Sequence, residues 1–423
     1  MAVSLVELAL TAFVVVMLVA QVVSQKLKTP YTLTLVFVGV AITAISTLPS
    51  LGSNPLSQTV ESVITQMRSF YGGLVGGGLF VGLVVPPLIF EAMMHIRAPD
   101  LRAVIRPSVL LATAGVVVAT LVGGLTLWQF AGLSVTVSFL FAAIIAPTDV
   151  VTVIEVFRRV DVPSRLSTLL DTEAAFNDAT GIVVFTVVLS SVSASRLPIL
   201  SSIALFAYTT LGGAAVGLLI AFAAGGVIGS FEDRMAQVIL TVSAVYGSYV
   251  FASGLGVSGL IAVAAVGLYF GNVTMRESRG QSNKDAIMFF WQIAAFIGNS
   301  VAFLLIGFET NLVSLYDSLG LIVVAFGAVT LARAASVYPI LAVFNRVGEK
   351  IPVTWSNVAM LGGVRGALSI ALAASLSATA VVSGSDIGTI ETMVFGVAFL
   401  SITIQTPLLS RYVARRFRDR QLP

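Results

Sequence analysis

The segment FLFAAIIAPTDVVTVIEVF, residues 139–157, decides the fold of this chain. It has the length and apolar character of a membrane-spanning helix, but Pro147 removes a backbone hydrogen-bond donor near its centre. Thr148 and Asp149 follow, and both residue types favour the start of a new helix. We therefore predict two half-helices that meet near the middle of the membrane, where non-helical backbone survives only if it lines a cavity or is buried in protein.

A second segment, NVAMLGGVRGALSIALAASL at residues 357–376, has the same character. Gly362, Gly363 and Gly366 surround Arg365 in its middle, and glycine weakens a helix at such positions. The sequence therefore predicts another interrupted helix, with its break at a similar depth.

The composition places both segments in an integral membrane protein. Of the 423 residues, 57% are hydrophobic and only 10% are charged, whereas about 25% are charged in soluble proteins. Ordinary soluble enzymes and nucleic-acid-binding proteins are thereby excluded. The single histidine and the absence of cysteine exclude a multi-histidine metal centre and thiol catalysis. We expect no cofactor and no nucleic-acid partner.

Thirteen apolar runs are candidate transmembrane helices of a single membrane domain, residues 1–423. Nineteen of the 23 basic residues fall in alternate loops and the C-terminal tail, while the opposite loops hold only Arg68 and Arg196. Because cytoplasmic loops are enriched in Lys and Arg, we place the N-terminus outside and the C-terminus in the cytoplasm of a multi-pass protein of the cytoplasmic membrane. The runs are approximately 3–23, 31–48, 72–94, 108–130, 137–157, 166–193, 199–229, 236–253, 255–271, 288–308, 318–343, 354–380 and 389–411.

The interrupted helices are the fifth and twelfth of these spans. An offset of seven is odd, so the units that contain them cross the membrane in opposite directions, and spans 1–6 and 8–13 can form an inverted-topology repeat. Secondary transporters use this architecture, with the binding site near the midplane between discontinuous helices. The predicted fold class is an all-α polytopic membrane protein that works by alternating access.

Carboxylates inside these spans are the candidate binding groups, because an ionisable residue there costs about 2.5–3.5 kcal/mol on insertion. Asp178 of the sixth span can face a cavity beside Asp149 and Thr148 of the fifth. Their oxygens suit a dehydrated monovalent cation. The same two carboxylates, desolvated and close together, would also take up protons near neutral pH. One site could then hold a cation or a proton, which is the minimum needed for exchange.

Three other charges within spans have predicted supporting roles. Arg365 cannot release its proton, and we expect it to neutralise the C-terminal dipole of a half-helix and a carboxylate, for which Glu173 is the candidate. Arg333 is interpreted as structural. For Glu91 in the third span, a role beside the binding site and a purely structural role both remain open.

Together these segments resemble the NhaP-type sodium/proton antiporters, a family related to the eukaryotic sodium/proton exchangers. The resemblance covers most of the chain, and its FND and GGxRGAxSxAL stretches are specific. The matching segments are VVPPLIFEA at 84–92, APTD at 146–149, EAAFNDATGIVVF at 173–185, VSGLIAVAAVGLYFGN at 257–272, LLIGFETNL at 304–312 and GGVRGALSIALA at 362–373.

The resemblance implies a homodimer in membrane lipid that exchanges sodium or lithium for protons, with a mobile core bundle moving against a dimer-forming bundle. The core corresponds approximately to 108–193 and 318–411, and the dimer-forming bundle to 3–95 and 199–308. Family members with Asn-Asp and this arginine exchange one cation per proton without net charge. The positions that match are Asp178 as the essential carboxylate, Asp149 and Thr148 as its partners, Asn177 as its neighbour, and Glu173 with Arg365 as a pair that bridges the sixth and twelfth spans.

The chain departs from the family pattern at two positions. Ala174 stands where the family has serine, four residues before Asp178, so one oxygen ligand is missing. The choice among sodium, lithium and potassium therefore stays open, with potassium/proton antiport as the alternative. Val150 occupies the place of a family proline, and with Pro147 before the threonine the interruption has room to shift by a few residues.

Two other functional classes fit less well. An ion channel needs a continuous pore, which two half-helix breaks in inverted repeats do not favour. An intramembrane serine protease needs a histidine beside Ser258 of the sequence GVSG, but His95 is the only histidine and is predicted on the opposite side of the membrane. The small residues around Ser258 favour close helix packing instead. A pH-sensing role of His95 remains open.

Overall fold

The regular structure of the described residues is entirely helical. The start of the third predicted span, residues 72–78, and Val150 lie outside these residues. The computed structural model describes residues 5–27, 29–46, 62, 65–66, 79–149, 151–157, 160, 162–194, 199–274, 281–309, 312–348, 351–376 and 382–417.

Eight helices in the described part of the chain are long and apolar enough to cross a membrane. Four shorter apolar helices accompany them, at Tyr31–Ala44, Val81–His95, Val135–Ile145 and Gly259–Thr274. The all-α, multi-pass membrane fold is thereby confirmed, whereas the count of thirteen spans stays a prediction.

The helices are numbered here in chain order. They are α1 (Leu5–Leu27), α2 (Tyr31–Ser46), α3 (Leu79–Leu83), α4 (Val85–His95), α5 (Ala98–Leu110), α6 (Val116–Phe130), α7 (Val135–Ile145), α8 (Val151–Phe157), α9 (Ser164–Ala194), α10 (Ile199–Ile228), α11 (Arg234–Gly254), α12 (Gly259–Tyr269), α13 (Gln281–Glu309), α14 (Leu312–Asp317), α15 (Leu319–Arg346), α16 (Val353–Leu361), α17 (Ala367–Ser375), α18 (Gly384–Leu400) and α19 (Thr406–Phe417). Single π-helical turns at Leu111–Gly115, Phe270–Thr274 and Ser401–Gln405 continue α5 into α6, extend α12, and join α18 to α19.

Both predicted interruptions are confirmed. The fifth span consists of α7 and α8, separated by the non-helical residues 146–149, and Pro147 cannot supply the backbone donor that would continue α7. The twelfth span consists of α16 and α17, separated by residues 362–366. All four half-helices are too short to cross a membrane alone.

Glycines let several helices approach each other more closely than side chains would permit. A methyl group at Gly217 in α10 would lie 2.2 Å from the carbonyl oxygen of Ala262 in α12. In the same way, a methyl group at Gly307 in α13 would lie 2.5 Å from the carbonyl oxygen of Val36 in α2. Such contacts between small residues are the usual means of helix association in lipid.

The helix contacts fall largely into two groups. α2 and α4 pack against α13, and α10 packs against α11 and α12. On the other side, α7 contacts α6, α9 and α18, while α15 contacts α6 and α18. The functional division into a core bundle and a dimer-forming bundle stays a prediction.

Candidate ion-binding site

The two interruptions cross in direct contact. The backbone N–H of Asp149 donates a 2.7 Å hydrogen bond to the carbonyl oxygen of Val364. At the next contact, a methyl group on Gly366 would lie 2.4 Å from Cβ of Asp149. Glycine at residue 366 is therefore required by the close approach of the two chains, and the non-helical backbone of one break satisfies part of the other.

Arg365 ties the second interruption to the end of the first half-helix. Its guanidinium group is buried and donates hydrogen bonds to the carbonyl oxygens of Ala146 at 2.7 Å and Pro147 at 3.1 Å. These carbonyls have no helical partner beyond the end of α7, so the positive charge stabilises the negative end of that half-helix. The backbone N–H of Arg365 donates to Oγ of Ser401 at 3.1 Å, and this hydroxyl donates to Gln405 at 2.6 Å.

The predicted pair between Glu173 and Arg365 is wrong. Glu173 is paired with Arg333, whose Nη1 and Nη2 atoms both donate to its carboxylate, the second at 3.0 Å. Arg365 is engaged by the carbonyl oxygens of the first break, whereas Arg333 extends from α15 toward α9. A methyl group on Gly363 would lie 3.0 Å from Nε of Arg333, so the glycine leaves room for this side chain.

Arg333 has a second partner that the sequence does not predict. Its Nη2 and Nε atoms donate to the carbonyl oxygen of Ala359, at 3.0 Å and 3.3 Å, near the C-terminal end of α16. The half-helices that precede the two breaks, α7 and α16, thus each have an arginine at their C-terminal, negative end. These contacts fit the structural role expected for Arg333. Its buried, bidentate ion pair with Glu173 joins α15 to α9, and its hydrogen bonds to Ala359 join α15 to α16.

A cavity of about 360 Å³ lies beside the crossing. Its lining includes the three predicted ligands, Thr148, Asp149 and Asp178, and also Glu91. The polypeptide therefore brings together carboxylates from α4, α9 and the first break around one cavity. Glu173 is not part of this lining, because its carboxylate faces Arg333.

Asn177 is buried behind the cavity and contacts one of the predicted ligands. Its Nδ2 atom donates a 2.8 Å hydrogen bond to Oγ1 of Thr148, and the side chain is not among the cavity-lining groups. The bond fixes the position of the Thr148 hydroxyl relative to α9. Asp149 receives a weaker contact of 3.4 Å from Oγ1 of Thr152.

Two further acidic residues line this cavity and are not among the residues predicted from the sequence, Asp171 and Glu155. Asp171 lies seven residues before Asp178 on one helix, and that spacing places both on the same helix face, which is a signal that the sequence carries. Glu155 in α8 accepts hydrogen bonds from the start of α2: from the backbone N–H of Tyr31, and from the backbone N–H and Oγ1 of Thr32 at 3.3 Å and 2.9 Å. No local pattern predicts that contact, because its partners are more than a hundred residues apart.

The lining of the cavity is acidic. Among the described residues that line it there is no lysine or arginine. No group of three or more His, Asp and Glu side chains in the described chain is arranged to hold a metal ion. A cation here would be held by few carboxylates together with neutral oxygens. The carboxylates are Glu91, Asp149, Glu155, Asp171 and Asp178.

The residues of the protease alternative are used elsewhere in the fold. Ser258 is the N-cap of α12, where its Oγ accepts a 3.3 Å hydrogen bond from the backbone N–H of Ile261. Nδ1 of His95 lies 2.7 Å from the carbonyl oxygen of Glu91, and no contact joins His95 to Ser258. Neither side chain is placed for nucleophilic catalysis.

Comparison with known proteins identifies the architecture. The family model described as sodium/hydrogen exchanger, transmembrane, matches residues 10–415. The chain belongs to this family. Two sequence relatives of the chain are the Na(+)/H(+) antiporter ApNhaP of Aphanothece halophytica, 34% identical over 338 residues, and the Na(+)/H(+) antiporter NhaG of Bacillus atrophaeus, 32% identical over 383 residues.

The chain covers these relatives only in part. The alignment takes in 77% of this chain and 62% of ApNhaP, and 86% of this chain and 67% of NhaG. Among solved structures, the sodium proton antiporter MjNhaP1 from Methanocaldococcus jannaschii matches with a TM-score of 0.72 at 23% sequence identity, and the match covers 98% of this chain and 99% of that chain. The likeness to MjNhaP1 establishes the fold of this chain.

Proposed function

We propose that this protein exchanges sodium, or lithium, for protons across the cytoplasmic membrane. The observation that carries the proposal is the placement of Asp178 and Asp149 in one cavity at the crossing of two interrupted helices. Two partly buried carboxylates with a threonine oxygen can bind a monovalent cation, and each carboxylate can bind a proton instead. Membership of the exchanger family supports the same activity.

Competition between the cation and the proton accounts for coupling. When Asp178 binds the cation it cannot bind a proton, so only the two loaded forms return the site across the membrane. Asp178 is electrically neutral in both loaded forms, Asn177 carries no charge, and Arg365 keeps its charge throughout. The same net charge therefore moves in each half of the cycle, and exchange of one cation for one proton is electroneutral.

The proposed transport path uses alternating access between two bundles of a homodimer in membrane lipid. One wall of the cavity is formed by the two breaks, α8, α9 and α17, which lie in the core bundle predicted from the sequence, and the facing wall by α1, α2, α4 and α13. With the N-terminus outside, Tyr31, Glu155 and Asp171 lie in the cytoplasmic halves of their spans. The cavity then opens toward the cytoplasm.

Sodium is preferred over potassium as the transported ion in this proposal. The named relatives ApNhaP and NhaG are sodium/proton antiporters. The mode of transport is a separate point: the two crossing breaks favour alternating access over a channel. Lithium, as a similarly small and hard cation, is expected to share the site.

The test is transport by the purified protein in liposomes. An imposed proton gradient is expected to drive saturable sodium uptake with no net current. The initial rate should follow a bell-shaped pH profile, because low pH fills the site with protons and high pH leaves no proton to exchange. A current that follows voltage alone would refute antiport, and uptake of potassium that sodium does not inhibit would support the potassium alternative.

Restoring the missing hydroxyl tests how the cation is held. Ala174 lines the cavity, and Ala174→Ser is expected to lower the apparent KM for sodium about 3- to 10-fold, the value of one added neutral oxygen ligand. The measurement is the sodium dependence of exchange in liposomes. Ala295→Ser is the matched control, because Ala295 also lines the cavity but belongs to α13 on the facing wall. Equal effects of the two substitutions would contradict a specific ligand position at residue 174.

A further inference from the structure

Asp171 shares one face of α9 with the proposed binding carboxylate. Residues seven apart in an α-helix are two turns apart and point in nearly the same direction, about 10 Å from each other along the axis. Ala174 and Ala175 lie between Asp171 and Asp178 on this face, and all four residues line the cavity. The two alanines leave the space between the two carboxylates free of larger side chains.

The carboxylate of Asp171 is only half used by the protein. Its Oδ2 atom accepts a 3.2 Å hydrogen bond from Oγ of Ser167, one turn earlier. Its Oδ1 atom is buried and has no hydrogen-bond partner among the described residues. A buried, unpartnered carboxylate oxygen is costly unless a ligand or a proton satisfies it during function.

A second acidic side chain, Glu91, faces Asp171 and makes the binding of a cation or a proton there more favourable. Glu91 lies across the cavity on α4, nine-tenths buried, and the electrostatic interaction between the two carboxylates is repulsive. Nδ1 of His95 lies 3.8 Å from the carboxylate of Glu91, and the His95 side chain is about half exposed. No lysine or arginine of the described chain lines the cavity near either carboxylate.

We propose that Asp171 binds the monovalent cation in transit, with Glu91 facing it, between the cytoplasm and Asp178. This role rests on the proposed function and adds a step to it. The cation first offsets the repulsion between Asp171 and Glu91, then moves two helical turns along the open face of α9 to Asp178. Because Asp171 lies in the half of the cavity toward the cytoplasm, it acts on cations that arrive from that side.

The test is Asp171→Asn, measured separately from each side of the membrane in oriented liposomes or everted vesicles. The KM for sodium from the cytoplasmic side is expected to rise about 2- to 15-fold, as follows from removing one charge about 10 Å from the cation at an effective dielectric constant between 80 and 20. The KM from the outer side and the maximal rate should stay near their wild-type values. A structural role of Asp171 would instead lower the maximal rate from both sides.

Two further variants keep the test interpretable. Asp171→Glu retains the charge and is expected to keep the cytoplasmic KM within about twofold of wild type. Glu232→Gln removes an exposed carboxylate from a loop predicted on the same side, and should change neither KM. An unchanged cytoplasmic KM in Asp171→Asn, or an equal rise from both sides, would overturn the proposal. A wild-type protein without sodium/proton exchange would instead overturn the proposed function itself.

Discussion

Asp178→Asn is expected to abolish sodium/proton exchange, with at least a 100-fold loss of the initial rate, while the protein remains folded. The amide cannot take up a proton near neutral pH and carries no charge to bind a cation, so neither loaded form can be made. The side chain keeps its size within the cavity, so little packing is lost. The measurement is sodium uptake into liposomes under an imposed proton gradient.

Thermal stability gives an independent reading of the same variant. A ligand that binds only the folded state raises the stability according to its concentration relative to Kd, so sodium should raise the melting temperature of the wild type and not that of Asp178→Asn. Asp386→Asn is a suitable control, because it removes a carboxylate from the first turn of α18 that is not part of the cavity lining. Exchange above a tenth of the wild-type rate in Asp178→Asn would refute the essential role of this residue.

Arg333→Met is expected to destabilise the protein by about 3–5 kcal/mol, because it leaves Glu173 buried without its partner. The carbonyl oxygen of Ala359 also loses its donor. The measurement is thermal unfolding of the purified protein in detergent, read from the loss of the monodisperse peak on gel filtration. The double variant Arg333→Met with Glu173→Gln should recover most of the lost stability, since no uncompensated charge remains.

The location of the ion pair makes this prediction specific to Arg333. Arg346→Met removes a charge from the exposed end of the same helix and should change the stability by no more than about 0.5 kcal/mol. Arg365→Met should also destabilise, through the carbonyl oxygens of Ala146 and Pro147, but Glu173→Gln should not rescue it. Rescue of Arg365→Met by Glu173→Gln would contradict the pairing seen in the structure.

The sequence predicts the backbone of the site better than its side-chain contacts. Proline and glycine act on their own local backbone, so Pro147 and the glycines around Arg365 predict both interruptions where the structure has them. The contact between the two breaks depends on how distant helices cross, and nothing local predicts the proximity of Gly366 to Asp149.

The pairing of buried charges is the part of the site that the sequence predicts least well. Glu173 pairs with Arg333, whereas the guanidinium group of Arg365 donates to the carbonyl oxygens of the first break. Which arginine meets Glu173 depends on how distant helices pack, and no local pattern predicts that. Asp171 is the opposite case, because its spacing from Asp178 is written in the sequence and follows from helix geometry alone.

The hydrogen bonds between Glu155 and the start of α2 bear on how fast the protein can work. They join a half-helix of the predicted core to a helix of the opposite cavity wall. A hydrogen bond to a charged group contributes about 1.5–3 kcal/mol. If the two walls separate in each cycle, these bonds must be given up before new ones form, and their loss enters the activation barrier. In that case, a contact remote from Asp178 contributes to the turnover rate and its temperature dependence.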